Sequence, residues 1–284
     1  MNALNHFASR LFDLLLSPLE SIGRPFALVA TSAVFGVIAL VLFKHLSAQK
    51  RIKAAKDRIK GHLIEIRIYQ DDLAIVGKAI GKVLLRNFQY LALNLGPFVP
   101  LSIPFVIVLA QLVVRYGYAP APVHGTSEAI LPGRGSMIEV ELARARAADV
   151  AELRIELPEG VRAVSPLVRL PEEGRAFQEV VAVAPGTRSL GFVLPGGERA
   201  EKEFAAGPWS GPLQPERGTG LFAALLWPAE DAFGGDSPFA TIRVEYPEGR
   251  LAWFPKGPGG VLLVFLVASM VAGLIVMKPL KIQI

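Results

Sequence analysis

Three runs without a charged side chain constrain this sequence more than any other feature: Pro25 to Phe43, Asn87 to Val114 and Gly257 to Met277. They contain 19, 28 and 21 residues, and basic residues stand close by: Arg24 and Lys44, Arg86 and Arg115, Lys256 and Lys278. A helix needs roughly 20 apolar residues to cross about 30 Å of hydrocarbon, so each run is long enough to span a membrane. The second run contains Pro97, Pro100 and Pro104. Each proline removes a backbone donor and crowds the preceding turn, which predicts a kinked span whose regular part runs from about Pro100 to Val114. Composition points the same way, with 52% hydrophobic and 19% charged residues, against roughly 45–50% and 25% in an average soluble domain. The absence of cysteine excludes disulfide scaffolds, thiolate metal sites and cysteine nucleophiles.

Residues 1–24 lack the basic start, compact apolar stretch and small-residue cleavage site of a signal peptide. They read as an amphipathic helix lying in the membrane interface, with Leu4, Phe7, Leu11, Leu14, Leu15 and Ile22 on one side and Asn5, Arg10, Asp13 and Ser17 on the other. Pro18, Gly23 and Pro25 punctuate the junction with the first span.

The charges are unevenly distributed. Residues 44–86 hold eleven Lys/Arg against four Asp/Glu, whereas residues 115–256 hold 15 against 19. Short loops rich in Lys and Arg stay on the cytoplasmic side, which predicts an external N-terminus, a cytoplasmic 44–86 segment, an external 115–256 segment and a cytoplasmic tail with Lys281. The expected setting is a prokaryotic cytoplasmic membrane. The overall charge of +5 is a sum of opposed segments, so no DNA partner is expected.

Within 44–86, Ile52, Ala55, Ile59, Leu63 and Ile66, and then Leu73, Val76, Ile80, Val83 and Leu84, recur at the three-and-four spacing of amphipathic helices. Gln70-Asp71-Asp72 interrupts the stripe and is placed to cap a second helix, giving a helical hairpin. Lys50, Arg51, Lys53, Lys56, Arg58 and Lys60 form its basic face. Such a face suits anionic membrane lipids or, as a docking site, an acidic partner such as the ribosome.

Residues 115–256 change to short β-like runs separated by Pro and Gly, with apolar and charged residues alternating in Ile138–Leu142, Leu153–Leu157 and Ile242–Tyr246. The pattern predicts an all-β, sandwich-like domain. Gly218 to Pro228 is too short to span and reads as a buried strand, or as a loop resting on the membrane through Phe222 and Trp227. Trp209, Trp253 and Phe254 are further candidates for the headgroup level. No catalytic motif is present, and His6, His45, His62 and His124 lie in separate segments without metal-ligand spacing. Neither a metal nor another cofactor is expected. The spans carry no Asp, Glu, Lys, Arg or His, which weighs against an ion-coupled transporter.

The segment Leu14-Leu15-Leu16-Ser17-Pro18-Leu19, the basic stretch Lys44 to Lys60 and the proline-bearing second span together resemble the core of the YidC-type membrane insertase superfamily, which includes short relatives with three spans. The resemblance covers about 1–115 and 257–284. The chain departs from it by placing Arg24 at the edge of the first span and by inserting the external domain. The hydropathy, charge and texture readings predict a membrane protein with domains at 1–24 (interfacial helix), 25–43 (first span), 44–86 (hairpin), 87–114 (second span), 115–256 (β domain), 257–278 (third span) and 279–284 (tail). The resemblance implies a non-enzymatic insertase or assembly factor, with a shallow, partly hydrated groove that eases polar segments of membrane-protein clients into the bilayer. Candidate groove residues are Thr31, Ser32, Asn94, Ser102 and Gln111. The alternative is a structural subunit of a larger membrane complex, binding its partners through the β domain.

Overall fold

The computed structural model describes residues 2–47, 49–125, 130–208 and 211–279, with side chains at all of these except 2–4, 49 and 50. The expectations for Leu4, Lys50, Trp209 and Lys281 therefore lie outside the described side chains. The chain divides into two units, one of residues 1–29 and 106–265, the other of residues 30–105 and 266–284. Three helical stretches are long and apolar enough to cross a membrane: Arg24–Leu46, Leu73–Tyr116 and Gly257–Met277.

In the first unit, α1 (Asn2–Glu20) is followed by the start of α2 (Arg24–Leu46). The face of α1 that packs against protein is formed by Asn5, Phe12 and Leu16, while Phe7, Leu11, Leu14 and Leu15 stay exposed. Later in the chain come the end of α5 (Phe98–Tyr116), the β domain and the start of α7 (Gly257–Met277). The β domain is built from β1 (Ser136–Leu142), a 3₁₀ helix (Arg144–Glu152), β2 (Arg154–Glu156), β3 (Val161–Ala163), β4 (Val168–Leu170), β5 (Arg175–Ala182), β6 (Gly186–Val193), β7 (Arg199–Ala206), β8 (Glu216–Gly218), the short α6 (Gly220–Leu226) and β9 (Phe239–Val244). One antiparallel sheet runs β3-β5-β1-β9-β8, with β4 also paired to β5; a second runs β2-β6-β7.

The two sheets share one core. Ile138, Val140 and Leu142 point inward from β1, Ile242 and Val244 from β9, Leu190 and Phe192 from β6 and Phe204 from β7. The period-two alternation thus sends every second side chain into the core, where each buried Val, Leu, Ile or Phe contributes about 1.5–3 kcal/mol. Two segments differ from expectation. Residues 220–226 form α6 and not a strand: an apolar run this short fits either state, and here Thr219 and Gly220 open a helical turn. Trp227 is half-buried and packs on Tyr118, with ring centroids 6.3 Å apart.

The second unit holds the rest of α2, α3 (Gln49–Ile68), α4 (Leu73–Leu95), the start of α5 and the end of α7. Asp72 caps α4 by accepting hydrogen bonds from the amides of Ala74 (2.9 Å) and Ile75 (3.1 Å). α3 and α4 pack as a hairpin whose covered positions include Ile52, Ala55, Ile59, Ile66, Val76, Ala79 and Val83. Leu63, Leu73, Ile80 and Leu84 of the predicted stripe are exposed instead. α4 also runs on to Leu95, well past Arg86, because nothing in 87–95 breaks a helix; the break comes at Gly96-Pro97, where proline has no N–H to carry the helical hydrogen bonding on. The expected single kinked segment 87–114 is therefore the last turns of α4 followed by α5. Pro100 lies in the first turn of α5, where its missing N–H costs little, and Pro104 lies inside the helix.

Candidate functional site

An open groove of about 380 Å³ lies in the second unit, between the parts of α2, α4, α5 and α7 that belong to it. Phe35, Phe43, Phe98, Phe105, Met270 and Met277 line it. The rings come in pairs, Phe35 with Phe105 at 6.2 Å and Phe43 with Phe98 at 5.8 Å. The groove has close-packed helices at its side. A Cβ on Gly36 would stand 2.1 Å from the Ser269 carbonyl oxygen, so only glycine lets the backbones of α2 and α7 approach this closely. This is the small-residue packing that favours helix association in lipid.

Of the five predicted groove residues, Asn94 lines this groove. Its amide donates to the Tyr90 carbonyl of its own helix at 2.7 Å. Thr31 is half-buried and Ser32 fully buried on α2. Ser102 is exposed on α5, its hydroxyl donating to the Val99 carbonyl at 2.7 Å. Gln111 belongs to the first unit, where it is 1% exposed and donates from Nε2 to the Ser9 hydroxyl at 3.0 Å. The polar candidates thus do not converge, and aromatic, aliphatic and thioether side chains make up most of the walls. Such walls fit an apolar segment of variable shape.

Arg51, Lys53, Lys56, Arg58 and Lys60 are all exposed on α3. Near the turn of the hairpin, Glu65 meets His62 Nδ1 at 3.0 Å and Lys82 Nζ at 3.6 Å. The hydrogen bond from His62, helped by Lys82, holds the Glu65 carboxyl below the usual carboxylate range.

The first unit carries a polar cluster that hydropathy had presented only as the flanks of spans. Arg115 is buried and pairs with Asp13 at 2.7 Å, Tyr116 donates to Glu20 at 2.7 Å, and Arg24 donates to the Arg115 carbonyl at 2.5 Å while lying over the Tyr116 ring. A signal for these pairs was present in the sequence, since Asp13 and Glu20 fall on one face of α1, seven residues apart.

On the β domain, a cleft of about 470 Å³ is lined by Tyr118, Trp227, Glu139, Glu216 and Arg243, among others. Arg243 donates to Glu216 at 2.6 Å and lies 3.9 Å from Glu139; the Glu216 bond pushes the guanidinium pKa upward, and burial raises that of the Tyr118 phenol. His6 lies 3.0 Å from Asp231, and His45 Nδ1 is 2.8 Å from the Val41 carbonyl. No group of three or more His, Asp or Glu side chains suited to a metal occurs among the described residues. No family model, curated protein or solved structure matches the chain.

Proposed function

We propose that this protein is an integral membrane factor that assists the insertion or assembly of other membrane proteins without catalysing a covalent reaction. The observation that carries the reading is the open, largely apolar groove, with four Phe and two Met among its walls, beside the close Gly36–Ser269 contact, with Asn94 and Ser269 as polar lining residues. A slot of this kind gives a client's apolar segment adaptable partners before it moves fully into lipid, while Asn94 offers a hydrogen-bonding group to a polar segment travelling with it. The exposed basic face of α3 supplies the second element of the reading, an electrostatic docking surface for anionic lipid or the ribosome. The resemblance to YidC-type insertases and the expected orientation, with the hairpin in the cytoplasm and the β domain outside, belong to the same proposal.

The test is a photo-crosslinking residue at Phe98 or Met270 in cells making short-tailed membrane clients, with depletion of the protein in parallel. The expected results are adducts with nascent clients and impaired insertion on depletion. Unchanged insertion together with no adduct would sink the proposal. A second reading, a structural subunit of a larger complex, draws on the cleft at Tyr118 and Trp227. A stoichiometric complex retained in mild detergent would favour it.

A further inference from the structure

The ends of three apolar helices meet in the first unit. Arg24, at the start of α2, donates to the carbonyl of Arg115 near the end of α5. Gly117, just after α5, stands with its Cβ position 3.3 Å from Pro258 Cα at the start of α7. If these helices cross a membrane, their shared ends mark its surface on the β-domain side, and α1 is fixed at that level. Gln111 donates to Ser9, Arg115 pairs with Asp13, and Tyr116 donates to Glu20. Residues 111 and 116 are about 8 Å apart along a helix rising 1.5 Å per residue. α1 therefore lies along the outermost turns of α5, within the roughly 5–10 Å depth typical of interfacial helices. Its packed stripe, Asn5, Phe12 and Leu16, faces protein, and Phe7, Leu11 and Leu14 lie on the opposite side, uncovered.

α1 is also joined to the β domain, at α6 and the segment that follows it. The buried Asn5 side chain donates to the Ala224 carbonyl at 2.6 Å, satisfying an acceptor in the last turn of α6, and His6 pairs with Asp231 just beyond. Ala224 is buried, while Phe222 is 78% exposed and Leu226 48% exposed, four residues apart on the side of α6 away from Ala224. Trp253, 85% exposed, precedes α7 by four residues. Uncovered aromatic and aliphatic groups at this level fit a lipid interface.

We infer that α6 is a second membrane contact of the β domain, with Phe222 and Leu226 entering the same leaflet that receives Phe7, Leu11 and Leu14 of α1. The occupant of both faces is lipid. The inference rests on the membrane-spanning part of the proposed function and leaves the groove and its clients aside. The α6 contact would keep the β domain from swinging freely on its connections to α5 and α7.

The experiment uses the full chain, which has no native cysteine, with single cysteines at Phe222, Leu226, Leu14, Leu263 and Glu173 carrying an environment-sensitive dye. Each variant is placed in nanodiscs of phosphatidylcholine and phosphatidylglycerol bearing spin labels high on the acyl chain. The expected result is a blue shift and strong loss of emission at 222, 226, 14 and 263, with neither change at 173. Quenching at 14 and 263 but not at 222 or 226 would overturn the inference while leaving the membrane reading intact. Absence of quenching at 263 as well would overturn both.

Discussion

Lys202 occupies an inward position of β7, in register with Ala200 and Phe204, and its side chain is 0% exposed. The ammonium donates to the Gln214 carbonyl at 2.5 Å and to a carboxyl oxygen of Glu230, itself only 10% exposed, so the strand is tied to the segment before β8 and to the one after α6. Burial pulls the Lys202 pKa down and pushes that of Glu230 up. The desolvation of both charges offsets much of their attraction, and the pair gives direction more than net stability. Removing one partner leaves the other charge buried alone. Lys202→Met should therefore destabilise the β domain by about 3–5 kcal/mol, whereas Lys202→Met with Glu230→Leu should recover most of the loss. Urea unfolding of the full protein followed by tryptophan fluorescence checks this, and a double variant no better than the single one would show that the pair is not the source. The same residue explains why β7 was not foreseen. Glu201-Lys202-Glu203 reads as a solvated stretch, and a lysine at a core position breaks the apolar alternation that identifies strands.

At the scale of elements, glycine has opposite meanings in neighbouring helices. Gly36 sits against the Ser269 backbone, whereas a Cβ on Gly61 in α3 would meet nothing within 4 Å. Gly36→Leu should force α2 and α7 apart and lower the thermal stability of the protein in detergent, because backbone cannot yield as a side-chain tip can. Gly61→Ala should raise hairpin stability by about 0.5–1 kcal/mol, the difference in helix propensity between the two residues. Circular dichroism melts of both variants measure the contrast, and equal effects would mean that the close crossing contributes nothing.

How much of each element was legible follows from the kind of signal it carries. The three apolar stretches and the cap at Asp72 rest on length, charge and one side chain, and the sequence displays all three. The seam of the hairpin depends on helix phase: His62, held by Glu65, takes the half-covered place and leaves Leu63 exposed, which hydrophobicity alone would reverse. On α1 the stripe of leucines was visible, but the opposite stripe of Asn5, Ser9, Phe12 and Leu16, which carries the tertiary bonds, was not. Those partners, Ala224 and Gln111, are more than 100 residues away. Among the proposed groove residues, chemistry could select polar side chains but not the direction each one faces. Asn94 reached the groove, and Gln111 was committed to Ser9.

For the whole molecule, the decisive quantity is the opposition between a 44–86 segment of net charge +7 and a 115–256 segment of net charge −4. Membrane orientation follows Lys and Arg in short loops, so these segments should lie on opposite sides, with the hairpin cytoplasmic. Single cysteines at Arg51 and Glu173, both exposed, report this through a membrane-impermeant thiol reagent. In intact cells or right-side-out vesicles, Glu173→Cys should react and Arg51→Cys should react only after permeabilisation; in inverted vesicles the order should reverse. The same reagent reads the interior of the fold. Asn94→Cys in the groove should react more readily than Gln111→Cys, because thiolate access is needed for reaction and Gln111 is sealed beneath α1. Equal protection at 94 and 111 would describe a dry bundle and shift the weight from an insertion factor to a structural subunit. Labelling of 51 and 173 from the same side would overturn the three-span topology itself.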